Sequence, residues 1–219
     1  FYPKQQIKVY DTNSNTIKNT YYRNAGNYFS VQYNANIPTG YVFSGWHITG
    51  QDSYAYAEAS PNTSSSATLT VLSFASSQNK TINFYPHADK NSYTVTYIDR
   101  IKGTTTNLGS TTASKTYGST VAGSDRGIST SVGAYYTNYK YDSCTSATVG
   151  TSGAIVYRYF TLAGSSYKVL HQQEQLNGTY TTVETENLSG TIGSSVTPAV
   201  KSYTGFTSPS TQTVTISAD

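Results

Sequence analysis

Residues 92–95, with the sequence SYTV, return 74 positions later as SYKV at residues 166–169. Downstream of each copy, YGSTV at residues 117–121 is matched by IGSSV at residues 192–196, an offset of 75. Two separate matches at nearly the same spacing indicate a tandem array of small modules. Such arrays usually build length and surface rather than one deep catalytic cleft. The spacing therefore favours a structural or adhesive function over an enzymatic one.

The composition favours β-structure with many short connections. Only 11% of the residues are charged, well below the roughly 25% of ordinary soluble domains. Polarity comes instead from Ser, Thr, Asn and Gln, together with 22 tyrosines. Thr, Tyr and Val favour strands, whereas Asn, Gly and Ser favour turns. Because no 3.6-residue period persists long enough for a substantial helix, the chain is predicted to be mainly β.

Charge and cysteine content restrict the partners and the location. The net charge of +3 is spread thinly, without the cluster of Lys and Arg that nucleic-acid binding requires. No stretch approaches the roughly 18 apolar residues of a membrane helix, so no membrane insertion is expected. The chain contains no Met, which we interpret as a processed product or a fragment. One cysteine excludes an intramolecular disulfide, and low charge with abundant hydroxyls fits an extracellular protein of a Gram-positive bacterium.

Alternating hydrophobic residues and turn residues divide the chain into three modules, residues 1–90, 91–164 and 165–219. Very short linkers join them and favour a semi-extended rod. In the third module, Asn177-Gly178 predicts a hairpin turn.

Modules one and two each end in an aromatic-rich strand, and Pro86 is expected to end the first of these. Nothing equivalent follows Ile216, so the third module is predicted to lack its last strand. An unfilled place in a sheet exposes unpaired backbone groups. Either the chain is cut from a longer one, or another subunit donates the strand.

Several motifs of the chain are similar to those of known surface-protein repeats. The opening strand of module three, its Asn177-Gly178 turn, Pro198 and the sequence YTGF at residues 203–206 resemble the mucin-binding-protein (MucBP) repeats of Gram-positive surface proteins. Module two resembles a diverged copy of the same repeat. Module one, through GYVFSGW at residues 40–46, resembles the Listeria–Bacteroides repeat and the internalin B-repeat group.

These resemblances imply small β-grasp modules, an α+β fold, strung along a wall-attached or secreted adhesin. The MucBP resemblance further implies a host or matrix glycoprotein as the partner.

Motifs for catalysis, cofactors and metals are absent from the sequence. There is no nucleophile elbow, phosphate loop or dinucleotide fingerprint. The sequence DTNSN at residues 11–15 begins like a calcium loop, but Thr16 and Tyr22 stand where Gly and Glu are needed. The three histidines are too far apart for a local metal motif: His47, His87 and His171. We therefore expect no enzymatic activity, no cofactor and no metal.

An intramolecular isopeptide bond is one candidate site, since small β-modules have limited cores and often need a covalent staple. Lys8 lies on the first predicted strand of module one and Asn83 on its last. Their amine and amide can condense if the strands are neighbours, with Glu58 as proton shuttle if it lies between them. The alternative is that both side chains face solvent.

Paired aromatic residues are the candidate glycan contacts. Adjacent residues in a strand face opposite sides, so one ring of each pair cannot reach the core. The pairs are Tyr21-Tyr22, Phe84-Tyr85 and Tyr135-Tyr136. From them we take Tyr22, Tyr85 and Tyr136 as candidates. A tyrosine ring can pack on the C–H groups of a sugar while its hydroxyl forms a hydrogen bond with the sugar. Trp46, inside a Gly-Trp sequence, is predicted to lie in the core instead.

The function expected from the sequence is an adhesin stalk or spacer with weak, multivalent binding to host or matrix glycoprotein. An alternative is a structural subunit of an extracellular filament or pilus, which self-associates by strand donation through the incomplete third module. A third interpretation is an accessory binding region of a secreted glycan-active enzyme.

Overall fold

A computed structural model describes residues 4–53, 55–73 and 79–217. About 60% of the chain lies in strands, which confirms the prediction of a mainly β protein. Among the described residues, the one helical element is a single 3-10 turn, Gly123–Arg126. The chain divides into two compact units. The first comprises Phe1–Val95, Ala113–Thr120 and Thr148–Ala154, and the second comprises Thr96–Thr112, Val121–Ala147 and Ile155–Asp219.

The first seven strands form two sheets. Their bounds are β1 Lys4–Tyr10, β2 Ile17–Asn24, β3 Phe29–Asn34, β4 Tyr41–Thr49, β5 Ala55–Ser60, β6 Ser66–Ser73 and β7 Lys80–Lys90. One sheet has the order β2-β1-β7-β4 and the other β3-β6-β5. Strands β1 and β7 are parallel neighbours, whereas β4 pairs with β7 in the antiparallel direction.

A hydrophobic core lies between these two sheets. Alternate residues of β1 and β7 turn inward, so that Ile7 and Phe84 are fully buried. From the second sheet, Leu69 and three alanines of β5 enter the same cluster. Trp46 is only 6% exposed, and its indole N–H donates to the carbonyl of Ser64 at 2.9 Å, which confirms its predicted place in the core.

Pro86 does not end the last strand of this sandwich, contrary to the sequence-based expectation. Strand β7 continues to Lys90 because its pairing with β4 runs through Pro86, opposite Trp46. On the other edge, pairing with β1 stops at Phe84. Beyond Phe84, the side chain of Asn13 occupies this edge of β7. Its amide oxygen accepts from the N–H of Ala88 at 3.0 Å, and its amide nitrogen donates to the carbonyl of Ala88 at 2.6 Å.

The next six strands are β8 Ser92–Ile101, β9 Asn107–Thr116, β10 Thr120–Ala122, β11 Tyr139–Cys144, β12 Ser146–Thr148 and β13 Ala154–Leu162. Four of them form a sheet with the order β11-β13-β8-β9, and β10 pairs with β12. Residues 123–138 connect β10 to β11 without forming a strand.

The last four strands form two separate ribbons. They are β14 Gly164–Glu174, β15 Tyr180–Thr191, β16 Ser195–Val196 and β17 Val214–Thr215. Strands β14 and β15 form an antiparallel hairpin around Asn177 and Gly178, as the sequence predicted. Gly178 has a φ of +78°, a conformation that glycine adopts without strain.

The repeated sequence motif forms the same backbone hydrogen bonds in both copies. At residues 117–121 the N–H→O bonds are Tyr117→Asn91 at 2.8 Å, Gly118→Val149 at 2.8 Å and Val149→Ser119 at 2.9 Å. At residues 192–196 they are Ile192→Ala163 at 3.0 Å, Gly193→Ile216 at 2.8 Å and Ile216→Ser194 at 2.9 Å. The sequence repeat is therefore also a repeat of local structure.

Candidate functional site

Four aromatic rings form a continuous row on the outer face of β1, β7 and β4. We call this set the aromatic row: Tyr10, Tyr85, His47 and His87. Tyr10 stacks on Tyr85 with ring centroids 4.2 Å apart, and the ring of His47 lies 6.2 Å from Tyr85 and 6.0 Å from His87. The row exists because strand alternation sends Phe84 into the core and Tyr85 outward.

A shallow groove of about 330 Å³ lies beside this row. Its walls are Tyr85, Pro86 and His87 on β7 and residues 13–15 of the turn after β1. The turn thus places the Ser14 hydroxyl and the Asn15 amide next to an aromatic face, which is the combination that holds a sugar ring. A hydrogen bond with Tyr10, together with burial, raises the pKa of Tyr85.

The turn at residues 11–15 is closed by backbone bonds: the N–H of Ser14 donates to the carbonyl of Asp11 at 3.2 Å, and the N–H of Asp11 donates to the carbonyl of Thr16 at 2.9 Å. The side-chain oxygen of Asn13 accepts the N–H of Ala88, and the hydroxyl of Thr12 donates to the carbonyl of Asn36 at 2.6 Å. Among the described residues, no three His, Cys, Asp or Glu side chains are grouped to hold a metal ion. The fold does bring His47 and His87 together, which their sequence separation did not suggest.

The residues of the predicted isopeptide bond are only partly brought together. Lys8 and Asn83 are directly paired on the parallel strands β1 and β7 and share the outer face. The Asn83 amide is engaged, donating to Thr49 at 3.1 Å and accepting from the Tyr10 hydroxyl at 3.4 Å. Glu58 lies on β5, in the other sheet, and is exposed on the outer side of the sandwich. The core therefore separates Glu58 from Lys8 and Asn83, and it cannot shuttle a proton between them.

The three candidate tyrosines lie in different surroundings. Tyr85 lines the groove, and Tyr22 is 56% exposed on β2, outside the aromatic row. Tyr136 is not in a strand, so the alternation rule does not apply to its pair. Both Tyr135 and Tyr136 pack on Phe160, with centroids 5.9 and 5.2 Å away. Tyr136 therefore belongs to an internal cluster and does not present its hydroxyl to a ligand.

That cluster is centred on Asp99, which the sequence analysis did not single out. Asp99 on β8 and Arg158 on β13 are 1% and 3% exposed. Arg158 donates to both carboxylate oxygens at 2.8 Å. The hydroxyl of Tyr136 donates to the carboxylate of Asp99 at 2.7 Å, and the guanidinium of Arg126 donates to the same carboxylate at 3.2 Å. The sequence does contain a signal for this cluster. Asp99 and Arg158 stand at inward positions of strands whose other inward residues are mostly apolar.

The electrostatics of this cluster keep Asp99 ionised. Burial alone would raise the pKa of Asp99, but hydrogen bonds from Arg158 and Tyr136 outweigh it and lower the pKa. Burial and the bond to Asp99 raise the pKa of Tyr136 to about 12. Arg158 also donates to the carbonyl of Gly127 at 2.7 Å. Through these bonds the cluster holds residues 123–138 onto the sheet.

A larger cavity of about 990 Å³ lies between β14 and residues 198–212. Lys201 bridges two carboxylates at its edge, that of Glu186 at 2.6 Å and that of Glu184. The ring of His171 lies 3.1 Å from Glu186 and packs against Tyr203. The hydrogen bonds from Lys201 lower the pKa of both glutamates, so both are ionised at neutral pH.

Comparison with protein-family models and with curated proteins finds no match to this chain. Within the described residues, no helix is long and apolar enough to cross a membrane.

Proposed function

We propose that the chain is a non-enzymatic repeat region of an extracellular bacterial surface protein, acting as an adhesin stalk or spacer. The observation that carries this proposal is the recurrence of one hydrogen-bond pattern at residues 117–121 and 192–196. A unit that repeats in sequence and in local structure suits a role in which length and number of copies matter.

The organisation that we propose is three tandem modules, residues 1–90, 91–164 and 165–219, joined in an elongated array. Their fold would be β-grasp-like, in keeping with the resemblance to MucBP, Listeria–Bacteroides and internalin B-repeats. The source would be a Gram-positive bacterium, with the protein secreted or attached to its wall. Small-angle scattering tests the array, since a rod-like chain has a maximum dimension well above that of a compact protein of this mass.

The binding contact that we propose is weak and multivalent, to glycans of a host or matrix glycoprotein, at the aromatic row. Four adjacent rings and the amide and hydroxyl groups of residues 13–15 support this assignment. Weak single contacts suffice because several copies along a surface protein raise the overall affinity. No nucleic-acid partner and no catalytic residue are part of the proposal.

An array of host-type N-linked and O-linked oligosaccharides tests this contact. The substitution Tyr85→Ala is expected to abolish the signal, whereas Tyr22→Ala, an exposed tyrosine outside the row, leaves it unchanged. Tyr85→Phe keeps the stacking ring and is expected to retain part of the signal. Equal loss with Tyr22→Ala, or binding unaffected by Tyr85→Ala, would rule out the row as the contact.

A second candidate function is a filament or pilus subunit that assembles by strand donation through the third module, residues 165–219. It is favoured by the two-stranded sheet of β14 and β15 and by the cavity beside it. Sedimentation velocity over a wide concentration range separates the two functions. A stalk stays monomeric, whereas a filament subunit forms growing multimers.

A further inference from the structure

The first and last strands of the first module are parallel neighbours in the middle of a four-stranded sheet. The sheet has the order β2-β1-β7-β4, and β1 pairs with β7 over five residues, from Gln5 with Lys80 to Val9 with Phe84. Because the two strands are parallel, the chain enters β1 at one end of this pair and leaves β7 at the opposite end. Tension on the two sides of the module therefore pulls β1 and β7 past each other along their length.

The second module repeats this arrangement. Its sheet has the order β11-β13-β8-β9, so the first strand, β8, and the last strand, β13, again form the central pair. The N–H of Lys102, directly after β8, donates to the carbonyl of Phe160 at 2.9 Å, and Gly153, directly before β13, lies against the carbonyl of Thr94. Residue numbers rise together along these two contacts, so β13 runs parallel to β8.

A pair of strands resists two directions of pulling differently. When the strands are peeled apart from one end, their hydrogen bonds break one after another, and each bond contributes little net free energy. When the strands are pulled past each other, the bonds carry the load together and must break together. The resulting resistance is a property of the unfolding barrier, which governs forced unfolding, rather than of the equilibrium stability.

Buried side chains keep water away from the central pair of the first module. Ile7 and Val9 of β1 and their partners on β7, Ile82 and Phe84, are all 0% exposed. Hydrogen bonds beside such apolar side chains are electrostatically stronger than bonds that are open to water. The backbone ladder between β1 and β7 is therefore suited to carry load.

Side chains also connect the two strands of each central pair. In the first module, Tyr10 of β1 stacks on Tyr85 of β7 with ring centroids 4.2 Å apart. In the second module, the buried guanidinium of Arg158 on β13 donates to both carboxylate oxygens of Asp99 on β8 at 2.8 Å. Bidentate bonds between charged groups are among the strongest hydrogen bonds in proteins. Each central pair thus has a side-chain connection in addition to its backbone bonds.

We propose that the parallel pairs β1/β7 and β8/β13 are mechanical clamps, which let the chain bear tension along its length without unfolding. This function goes beyond that of a spacer, which needs length but no resistance to force. The inference rests on the proposed adhesin stalk for the source of the tension, since an attached surface protein is pulled when its bound partner moves away. The clamp geometry itself does not depend on glycan binding.

Single-molecule force spectroscopy with two directions of pulling tests the clamp of the first module. The full chain carries Cys144→Ser, so that a single introduced thiol serves as the handle, and it is held by its N-terminus and by Lys90→Cys or Asn79→Cys. Both of these positions are exposed. A handle at residue 90 pulls β1 past β7, whereas a handle at residue 79 peels the same pair from one end. The unfolding force is expected to be several times higher through residue 90.

Two matched variants separate mechanical resistance from stability. Val9 and Val71 belong to the same core and are 0% and 1% exposed, but Val9 lies on β1 and Val71 on β6 of the other sheet. Val9→Ala and Val71→Ala remove the same atoms and are expected to lower the urea midpoint by similar amounts. With the handle at residue 90, Val9→Ala is expected to lower the unfolding force and Val71→Ala to leave it close to that of the parent.

Pulling the full chain by its two termini tests the second clamp. Residues 4–90 and 92–162 release about 300 Å and about 250 Å of extended chain, less the length of each folded module, so their unfolding steps are distinguishable. Asp99→Asn weakens the connection between β8 and β13 and is expected to lower the force of the shorter step. The longer step, which contains no change, is the control within each trace.

Equal forces through residues 79 and 90 would overturn the proposal. An equal loss of force in Val9→Ala and Val71→Ala would also overturn it and assign the resistance to the core as a whole. These outcomes are distinct from failure of the proposed function. Loss of glycan binding, or a compact shape in small-angle scattering, would remove the adhesin stalk and leave the contrast between the two pulling directions in place.

Discussion

The second and third regions of the chain share a sequence motif but differ in how completely they bury it. In the second region, β8 lies between β9 and β13, and Val95 and Val156 are both 0% exposed. In the third region, only Ile192 and Ile216 are buried among the described residues from 164 onward. Leu170 and Phe206 remain 53% and 45% exposed there.

This difference shows which part of the repeat forms locally and which part depends on a further strand. The Gly-Ser turn forms in both regions through local bonds: the N–H of Ser119 donates to the carbonyl of Thr116 at 3.1 Å, and the N–H of Ser194 donates to the carbonyl of Thr191 at 3.0 Å. Burial of the inward face accompanies a second neighbouring strand: β8 pairs with β9 and β13, whereas β14 pairs with β15 alone in the described part of the chain. Hydrophobic burial is the dominant favourable term in folding, so the third region is expected to be the less stable.

The largest expected effect comes from removing the buried carboxylate of the second region. Asp99→Ala leaves Arg158 buried without its partner and is expected to lower the free energy of opening by about 3–5 kcal/mol. The matched change in the third region, Gln173→Ala, is expected to cost under about 0.5 kcal/mol, as for surface positions. Native-state hydrogen exchange at the amides of β8 and β14 measures both. Similar costs at the two positions would show that the Asp99 cluster is not what distinguishes the regions.

A smaller effect is expected from trimming one valine in each region. Val95→Ala removes two buried methyl groups from a closed core and is expected to cost about 2 kcal/mol. Val169→Ala removes the same atoms from a half-open face and is expected to cost less than about 1 kcal/mol. Chemical denaturation monitored by circular dichroism, with hydrogen exchange to localise the change, tests the pair. A greater cost at Val169 would mean that its cavity is closed in solution.

The features of the fold that were predicted correctly are those that depend on residues close together in the sequence. Composition and the absence of a helical period predicted the mainly β structure, the Gly-Trp sequence predicted the burial of Trp46, and Asn177-Gly178 predicted the hairpin. The prediction for Pro86 failed because a proline blocks only one edge of a strand. Sequence alone does not reveal that the other edge pairs with β4.

The candidate sites were less predictable, because they depend on contacts between distant strands. Alternation predicted the outward face of Tyr85, whereas the pairing of Lys8 with Asn83 depends on β1 and β7 being neighbours in the sheet. The place of Glu58 on the opposite sheet did not, since no local pattern states which sheet a strand joins. Tyr136 was assigned to a strand, whereas it lies in the stretch that Asp99 and Arg158 fix to the sheet.

The Asp99 cluster also predicts a dependence of stability on pH. The pKa of Asp99 is lower in the folded protein than the value of about 3.9 that an aspartate has in an unfolded chain. The stabilisation is therefore complete above the unfolded value and is lost as the pH falls through the folded value. Urea midpoints between about pH 6 and pH 2 are expected to fall on the acid side, and Asp99→Asn should flatten this slope. An unchanged slope in the variant would assign the acid sensitivity to other carboxylates.

The smallest effect is expected at the charged residues Lys201, Glu184 and Glu186 of the third region. The pKa values of these two glutamates are lowered, as is that of Asp99. Lys201 lowers the pKa of Glu184 and Glu186 through hydrogen bonds, but all three groups are open to solvent. Water and salt screen such pairs, so Lys201→Ala is expected to leave the urea midpoint unchanged within error. Any small difference between the variant and the parent should shrink further at about 1 M salt. Lys102→Ala, which removes the exposed pair with Asp142 in the second region, is the matched control. A clear loss at Lys201 but not at Lys102 would mean that the third region depends on its charges because it lacks a closed core.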